Sequence, residues 1–140
     1  MFYSVKQVSD ILQIPVTELR YYAKRGLYPT VERDRNNQRC FTEWDLNWVY
    51  LADILSKSGM SLKNIKHYIE ISRQGDVSIP ERYQMLSAVK DSLTQRQQLL
   101  NEQQSVINEK INRYQQVLNG QEVDKWNPQT TRKKYHDLLI

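Results

Sequence analysis

From Glu81 to Leu118 the chain carries neither glycine nor proline, and its large apolar residues return every seven positions. Leu86, Leu93, Leu100, Ile107 and Tyr114 form one series. Val89 and Val117 stand at the companion positions, where Arg96, Gln103 and Lys110 are polar. This pattern predicts a single long amphipathic helix with an imperfect coiled-coil seam. At the helical rise per residue such a helix extends on the order of 55 Å. The segment ahead of it is too small to cover that stripe. A second copy is the economical partner, so the residues predict a homodimer, antiparallel or parallel, joined through the two apolar series.

The segment before the long helix has helix signals of its own. Ser4 with Gln7 reads as a capping box, followed by Val5, Val8, Ile11 and Leu12 on one helical face. Gln13-Ile14 makes a short turn, and Pro15 suits the first position of a second helix. That helix runs to about Arg25, where Gly26 supplies the left-handed conformation that closes it. Two short helices and a tight turn make a helix-turn-helix. Pro29, Thr30 and Val31 then suggest a short strand, Asp34-Arg35-Asn36-Asn37 a turn, and Gln38 to Phe41 the returning strand. Such a hairpin after a helix-turn-helix is a wing.

Thr42 with Asp45 caps a third helix, whose inward face is expected to be Trp44, Trp48, Leu51, Ala52 and Leu55. Gly59 ends it. Ser61 caps a fourth helix with Leu62, Ile65, Tyr68 and Ile69 inward, and Gly75 and Pro80 break the chain again. The expected fold is therefore mainly helical (all-α). It comprises a winged helix-turn-helix head with a small β-hairpin over residues 1–75, the dimerisation helix over 81–118, and a short tail over 119–140.

Charge points to a partner. The 140 residues carry a formal net charge of +4, a modest excess. Its distribution says more: between Arg20 and Arg39 stand Arg20, Lys24, Arg25, Arg33, Arg35 and Arg39 against only Glu32 and Asp34. Phenols and cations on a helix end, with a basic hairpin within reach, suit double-stranded DNA. Arg20 and Tyr21 are candidates for the DNA backbone, and Thr17, Glu18 and Lys24 lie nearer to base edges. In the wing, Arg33, Arg35 and Arg39 are candidates for phosphate or the minor groove. Ser61 opens a helix whose amides can meet a phosphate, with Lys63 or Lys66 adding charge. The plain alternative is a solvated helix face and an ordinary cap.

Other features argue by exclusion. Cys40 is the single cysteine, which rules out an intrachain disulfide and a cysteine-rich metal site. Next to Arg39 it invites a thiol-sensing role, but a small buried strand residue is the ordinary reading. His67 and His136 are isolated, so no metal is expected and no cofactor. No nucleophile-base pattern appears, which argues against an enzyme. No apolar run is long enough to span a bilayer, and the N-terminus lacks a secretory pattern, so a cytoplasmic protein is expected. Trp44 and Trp48 form either an aromatic platform or core. Trp126 either lines an effector pocket or anchors the tail.

The segment Tyr3 to Ile69 resembles the DNA-binding domain of the MerR family of bacterial transcription regulators. The resemblance rests on Tyr3-Ser4-Val5, Leu19-Arg20-Tyr21-Tyr22 with Lys24-Arg25-Gly26-Leu27, Asn36 to Arg39, Phe41-Thr42-Glu43-Trp44-Asp45-Leu46, and Gly59-Met60-Ser61-Leu62 with Ile65-Lys66. It implies a dimer whose long helices pair antiparallel and hold two winged heads on a pseudo-palindromic operator. It also implies a regulator that bends and untwists an overlong promoter so that RNA polymerase can engage both promoter elements. Where the family often has serine, glutamate and Gly-Tyr-Arg, this chain has Pro15, Ala23 and Asn37-Gln38-Arg39, which leaves the fold intact and makes base preference harder to carry over. The cysteines of metal-sensing relatives have no counterpart at the start of the long helix. The third helix reads Leu51-Ala52-Asp53-Ile54 where aldehyde- or thiol-sensing relatives carry a cysteine. A reading from another class is a coiled-coil adaptor with a degenerate head that recruits a protein through the stripe. Whether an effector exists, and whether the regulator activates or represses, is not legible.

Overall fold

The computed structural model describes residues 1–124. The tail from Trp126 through Arg132-Lys133-Lys134 and His136, and with it the effector-pocket reading of Trp126, lies outside the described residues. The chain divides into two compact units, residues 1–91 and 92–140.

In the first unit, α1 spans Val5–Leu12 and α2 Val16–Lys24. The Ser4 capping box is formed: its Oγ accepts from Gln7 N at 3.2 Å, and Gln7 Oε1 accepts from Ser4 N at 2.9 Å. Val8 is fully buried, but Ile11 is 53% exposed, so the inward face of α1 is narrower than its spacing suggested. Pro15 stands one position earlier than expected. Its ψ of 140° places it outside the helix as N-cap, and its carbonyl accepts from Glu18 and Leu19. Proline's fixed φ serves either position, so the sequence alone does not separate them. Gly26, at φ +81°, ends the helix as expected.

The wing is displaced from the expected strand. Pro29 and Thr30 occupy a turn closed by Val31 N donating to Tyr28 O at 3.2 Å, a position where proline is favoured. The strands are β1, Glu32–Arg33, and β2, Arg39–Cys40, paired antiparallel with Arg33 opposite Arg39. Phe41 continues beyond β2 to bridge Tyr3, which fastens the wing to the chain start.

Helix α3 spans Glu43–Lys57 and α4 spans Leu62–Ser72. The Thr42–Asp45 box forms as expected. The buried stripe of α3 is Asp45, Val49, Ala52, Asp53 and Leu55. Trp44 lies off that stripe and is 64% exposed, while Trp48 and Leu51 pack on the core from its edge. On α4, Ile65, Tyr68 and Ile69 are buried as expected, joined by Ile71.

Gly75 opens a 3-10 turn through Ser78, and α5 then runs Ile79–Leu118. Pro80 therefore sits in the first turn of α5, where its missing N–H costs no helical bond, and does not break the chain. Arg82 clasps the turn, donating Nε to Ser78 Oγ at 2.9 Å and Nη2 to Gly75 O at 2.8 Å. His67 is not isolated: its Nε2 lies 2.7 Å from Glu81 Oε1. Met85 and Val89 pack against the core of the first unit. In the second unit, Gly120 closes α5, with Gln121 N donating to Gln116 O and Gly120 N to Val117 O.

Candidate nucleic-acid interface

Helix α2 is divided by its own periodicity. Leu19 is fully buried, and Tyr22 turns partly inward, its hydroxyl 2.9 Å from Ser56 Oγ on α3. Thr17, Arg20, Tyr21 and Lys24 are exposed, at the three- and four-residue spacing of one outer face. Tyr21 is held in place: its ring meets Tyr22 edge-on at 5.5 Å, and Arg25 Cζ lies 5.4 Å from its centroid. Arg25 was not among the candidate contacts, and its stacking has no separate signal in the sequence. Glu18 is only half-exposed and acts electrostatically on Tyr28 and Lys57.

The wing is built by Asp34. Its Oδ1 accepts from Asn36 N at 2.8 Å and Gln38 N at 2.9 Å, and Asn37 takes φ +60°. Arg33 Nη1 donates to Asn37 O at 2.6 Å, so this guanidinium closes the wing turn. Arg35 stands exposed on the turn. Arg39 is half-buried on β2, and its pKa is lowered by burial first, then by the charges of Arg33 and Arg20. Cations from α2 and the hairpin thus share one neighbourhood. Cys40 is half-buried, and its thiol donates to Gln38 O at 3.6 Å.

A further basic element approaches from α4. Ser61 Oγ accepts from Asn64 N at 3.2 Å as an N-cap. Lys63 and Lys66 are exposed. Lys66 lays its Cε and Nζ 3.5 Å from where a Cβ on Gly26 would sit, against the end of α2. Trp44 and Trp48 meet edge-on at 6.5 Å. Asp53, buried, receives Lys57 Nζ on Oδ2 at 2.7 Å, and this contact raises the lysine's pKa.

Along α5, Leu93, Leu100, Ile107 and Tyr114 are between 42% and 64% exposed, with Leu86 at 37%. Val117 is half-buried. Val89, expected on the seam, is instead taken up partly by the first unit's own core. Leu99, Val106 and Ile111 extend the exposed apolar surface beside the expected series. Among the described residues no helix is long and apolar enough to cross a membrane.

The family profile described as MerR HTH family regulatory protein matches residues 3–71. In the solved structure of HiNmlR, described as a MerR family regulator lacking the sensor domain and bound to promoter DNA, the likeness reaches a TM-score of 0.79. It holds at 32% identity, covering 85% of this chain and 90% of that one. The chain belongs to the MerR family. Another MerR family structure, from Bacillus thuringiensis, matches with a TM-score of 0.74 at 29% identity, over 81% of this chain and all of that one. A Haemophilus influenzae protein described as an uncharacterized HTH-type transcriptional regulator is 42% identical over 82 residues, 59% of this chain. That match spans 61% of the relative's own length. The HTH-type transcriptional regulator YfmP of Bacillus subtilis is 30% identical over 118 residues, 79% of this chain and 81% of that protein. The family profile ends at residue 71, near the end of α4 and close to Ile69, where the resemblance read from the sequence also ends.

Proposed function

We propose that this MerR-family chain is a sequence-specific DNA-binding transcription regulator. It binds a pseudo-palindromic promoter operator as a homodimer and distorts that operator so that RNA polymerase can engage. Residues 1–75 form the DNA-binding head, 81–118 the pairing helix, and 119–140 a tail. The carrying observation is that Arg20 on α2 and Arg39 on β2 line one and the same cleft, so helix and wing bring cations to one place.

The roles divide by geometry. Arg20, Tyr21, Arg35 and Arg39 hold backbone phosphates, and Lys63, Lys66 and the α4 start add charge beside them. Thr17 and Lys24, on the outer face of α2, reach the base edges. Glu18 contributes less, because it is half-buried, and Arg33 serves the wing first. HiNmlR, solved on promoter DNA, supports the same use of the fold here. The dimer is supported by the exposed stripe of α5, where each fully buried leucine or isoleucine contributes roughly 1.5–3 kcal/mol. An antiparallel pairing through Leu86, Leu93, Leu100, Ile107, Tyr114 and Val117 covers that stripe.

A gel shift with the full chain on the duplex upstream of its own gene tests this reading, at about 0.15 M salt. Selective retardation over a scrambled duplex is expected. Equal retardation of both duplexes, or none, would overturn it.

A further inference from the structure

Between the start of α1, the flank of α2 and the wing lies an open cleft of about 460 Å³. Lys6, Arg20 and Arg39 line it, one from each of three elements. Asp34 also lines it, its Oδ1 turned to the amides of Asn36 and Gln38, so the cleft gathers three cations against one carboxylate. Among the described residues, none of the three cations has a carboxylate within ion-pair distance. Arg39 is half-buried and its charge is disfavoured there, by burial and by Arg33 and Arg20. An excess of positive charge gathered in one cleft costs free energy, which an oxyanion seated among the cations would return.

We propose that this cleft seats one phosphate of the DNA backbone, and that Lys6 on α1 is a phosphate-holding residue alongside Arg20 and Arg39. This rests on the DNA-binding reading and adds α1 to a surface otherwise made of α2, the wing and α4. The three elements converge on one oxyanion, so the contact fixes the angle between wing and helix on the duplex. Lys6 carries no base information and acts on every sequence alike. A small phosphorylated molecule shares the chemistry. The duplex is the favoured source because Arg20, which lines the cleft, also stands on the exposed face of α2.

The test uses the full chain, its upstream duplex, and the variants Lys6→Gln and Lys6→Arg. Lys6 is exposed and glutamine is about as good a helix former, so the head stays folded. Lys6→Gln is expected to weaken binding about tenfold, on operator and scrambled duplexes alike. The slope of log affinity against log salt should become shallower by about 0.9. Lys6→Arg keeps the wild-type slope. A duplex series with one neutral methylphosphonate each identifies the phosphate: at one position, wild type and Lys6→Gln bind equally. Unchanged affinity and slope in Lys6→Gln overturn the inference and leave the regulator reading standing. So does a deficit that no single methylphosphonate removes. Thermal stabilisation of wild type but not Lys6→Gln by inorganic phosphate, with duplex binding untouched, assigns the cleft to a free anion and also overturns it. If wild type itself binds no duplex at low salt, the regulator reading fails first.

Discussion

Thr30 donates its hydroxyl to Oδ1 of the buried Asp45, and so ties the turn after α2 to the first turn of α3. The other oxygen, Oδ2, accepts from Thr42 N and Thr42 Oγ1, both at 2.8 Å. One carboxylate thus completes a capping box and positions the root of the wing. Asp45→Ala strips all three donors of their partner and is expected to cost about 2–4 kcal/mol. Thr30→Val removes one bond and should cost about 1–2 kcal/mol. Urea unfolding of both variants checks the order. A loss below that of Thr30→Val in Asp45→Ala would contradict the assigned role.

At Gly26 the backbone, not the space, sets the cost of a side chain. A Cβ there would meet only the flexible end of Lys66, at 3.5 Å, an ordinary contact. The φ of +81° is what an alanine resists, at about 1–2 kcal/mol. Gly26→Asn is expected to destabilise less than Gly26→Ala, because asparagine tolerates this region better. Equal losses in thermal unfolding would mean that contact with Lys66 dominates instead.

Tyr28 gives the head an alkaline limit. Its phenol is pushed well above the ordinary value near 10, by burial first and then by Tyr22, Glu18 and Asp53. The folded state therefore keeps a proton that the unfolded chain releases. That contribution is whole below pH 10 and is lost as pH rises toward the folded value. Stability should fall above pH 10 more steeply in wild type than in Tyr28→Phe. Parallel curves in a denaturation series from pH 8 to pH 11 would contradict this.

The caps were legible because they are local. Ser4 with Gln7, Thr42 with Asp45, and the turn chemistry of Asp34 and Asn37 act within a few residues, and each forms as the sequence suggests. Burial of large residues was less legible. Trp44 and Ile11 have the spacing of a core face, but the faces of α3 and α1 that meet the core are centred on Val49, Ala52 and Leu55, and on Val8. Spacing fixes relative angles and leaves open which angle points inward. In the candidate site, the basic residues were legible as a composition bias in one stretch. Arg25 stacked on Tyr21, Arg33 spent on Asn37 and Lys6 lining the wing cleft depend on distances between elements, which no local pattern contains.

The stripe on α5 makes a separate claim about assembly. Ile107→Asp places a charge in the proposed seam, where an unpaired buried carboxylate costs several kcal/mol. Sedimentation should show wild type as a dimer and Ile107→Asp as a monomer, with the α-helical signal of the head retained. A wild-type monomer at micromolar concentration would contradict the pairing.

Hydroxyl-radical footprinting of the full wild-type chain on its upstream duplex tests the central claim most directly, because it reads both heads at once. Two protected segments related by a two-fold axis are expected, lost together in Ile107→Asp at concentrations where wild type saturates. One protected segment at saturation, or two that survive the loss of the dimer unchanged, would contradict it.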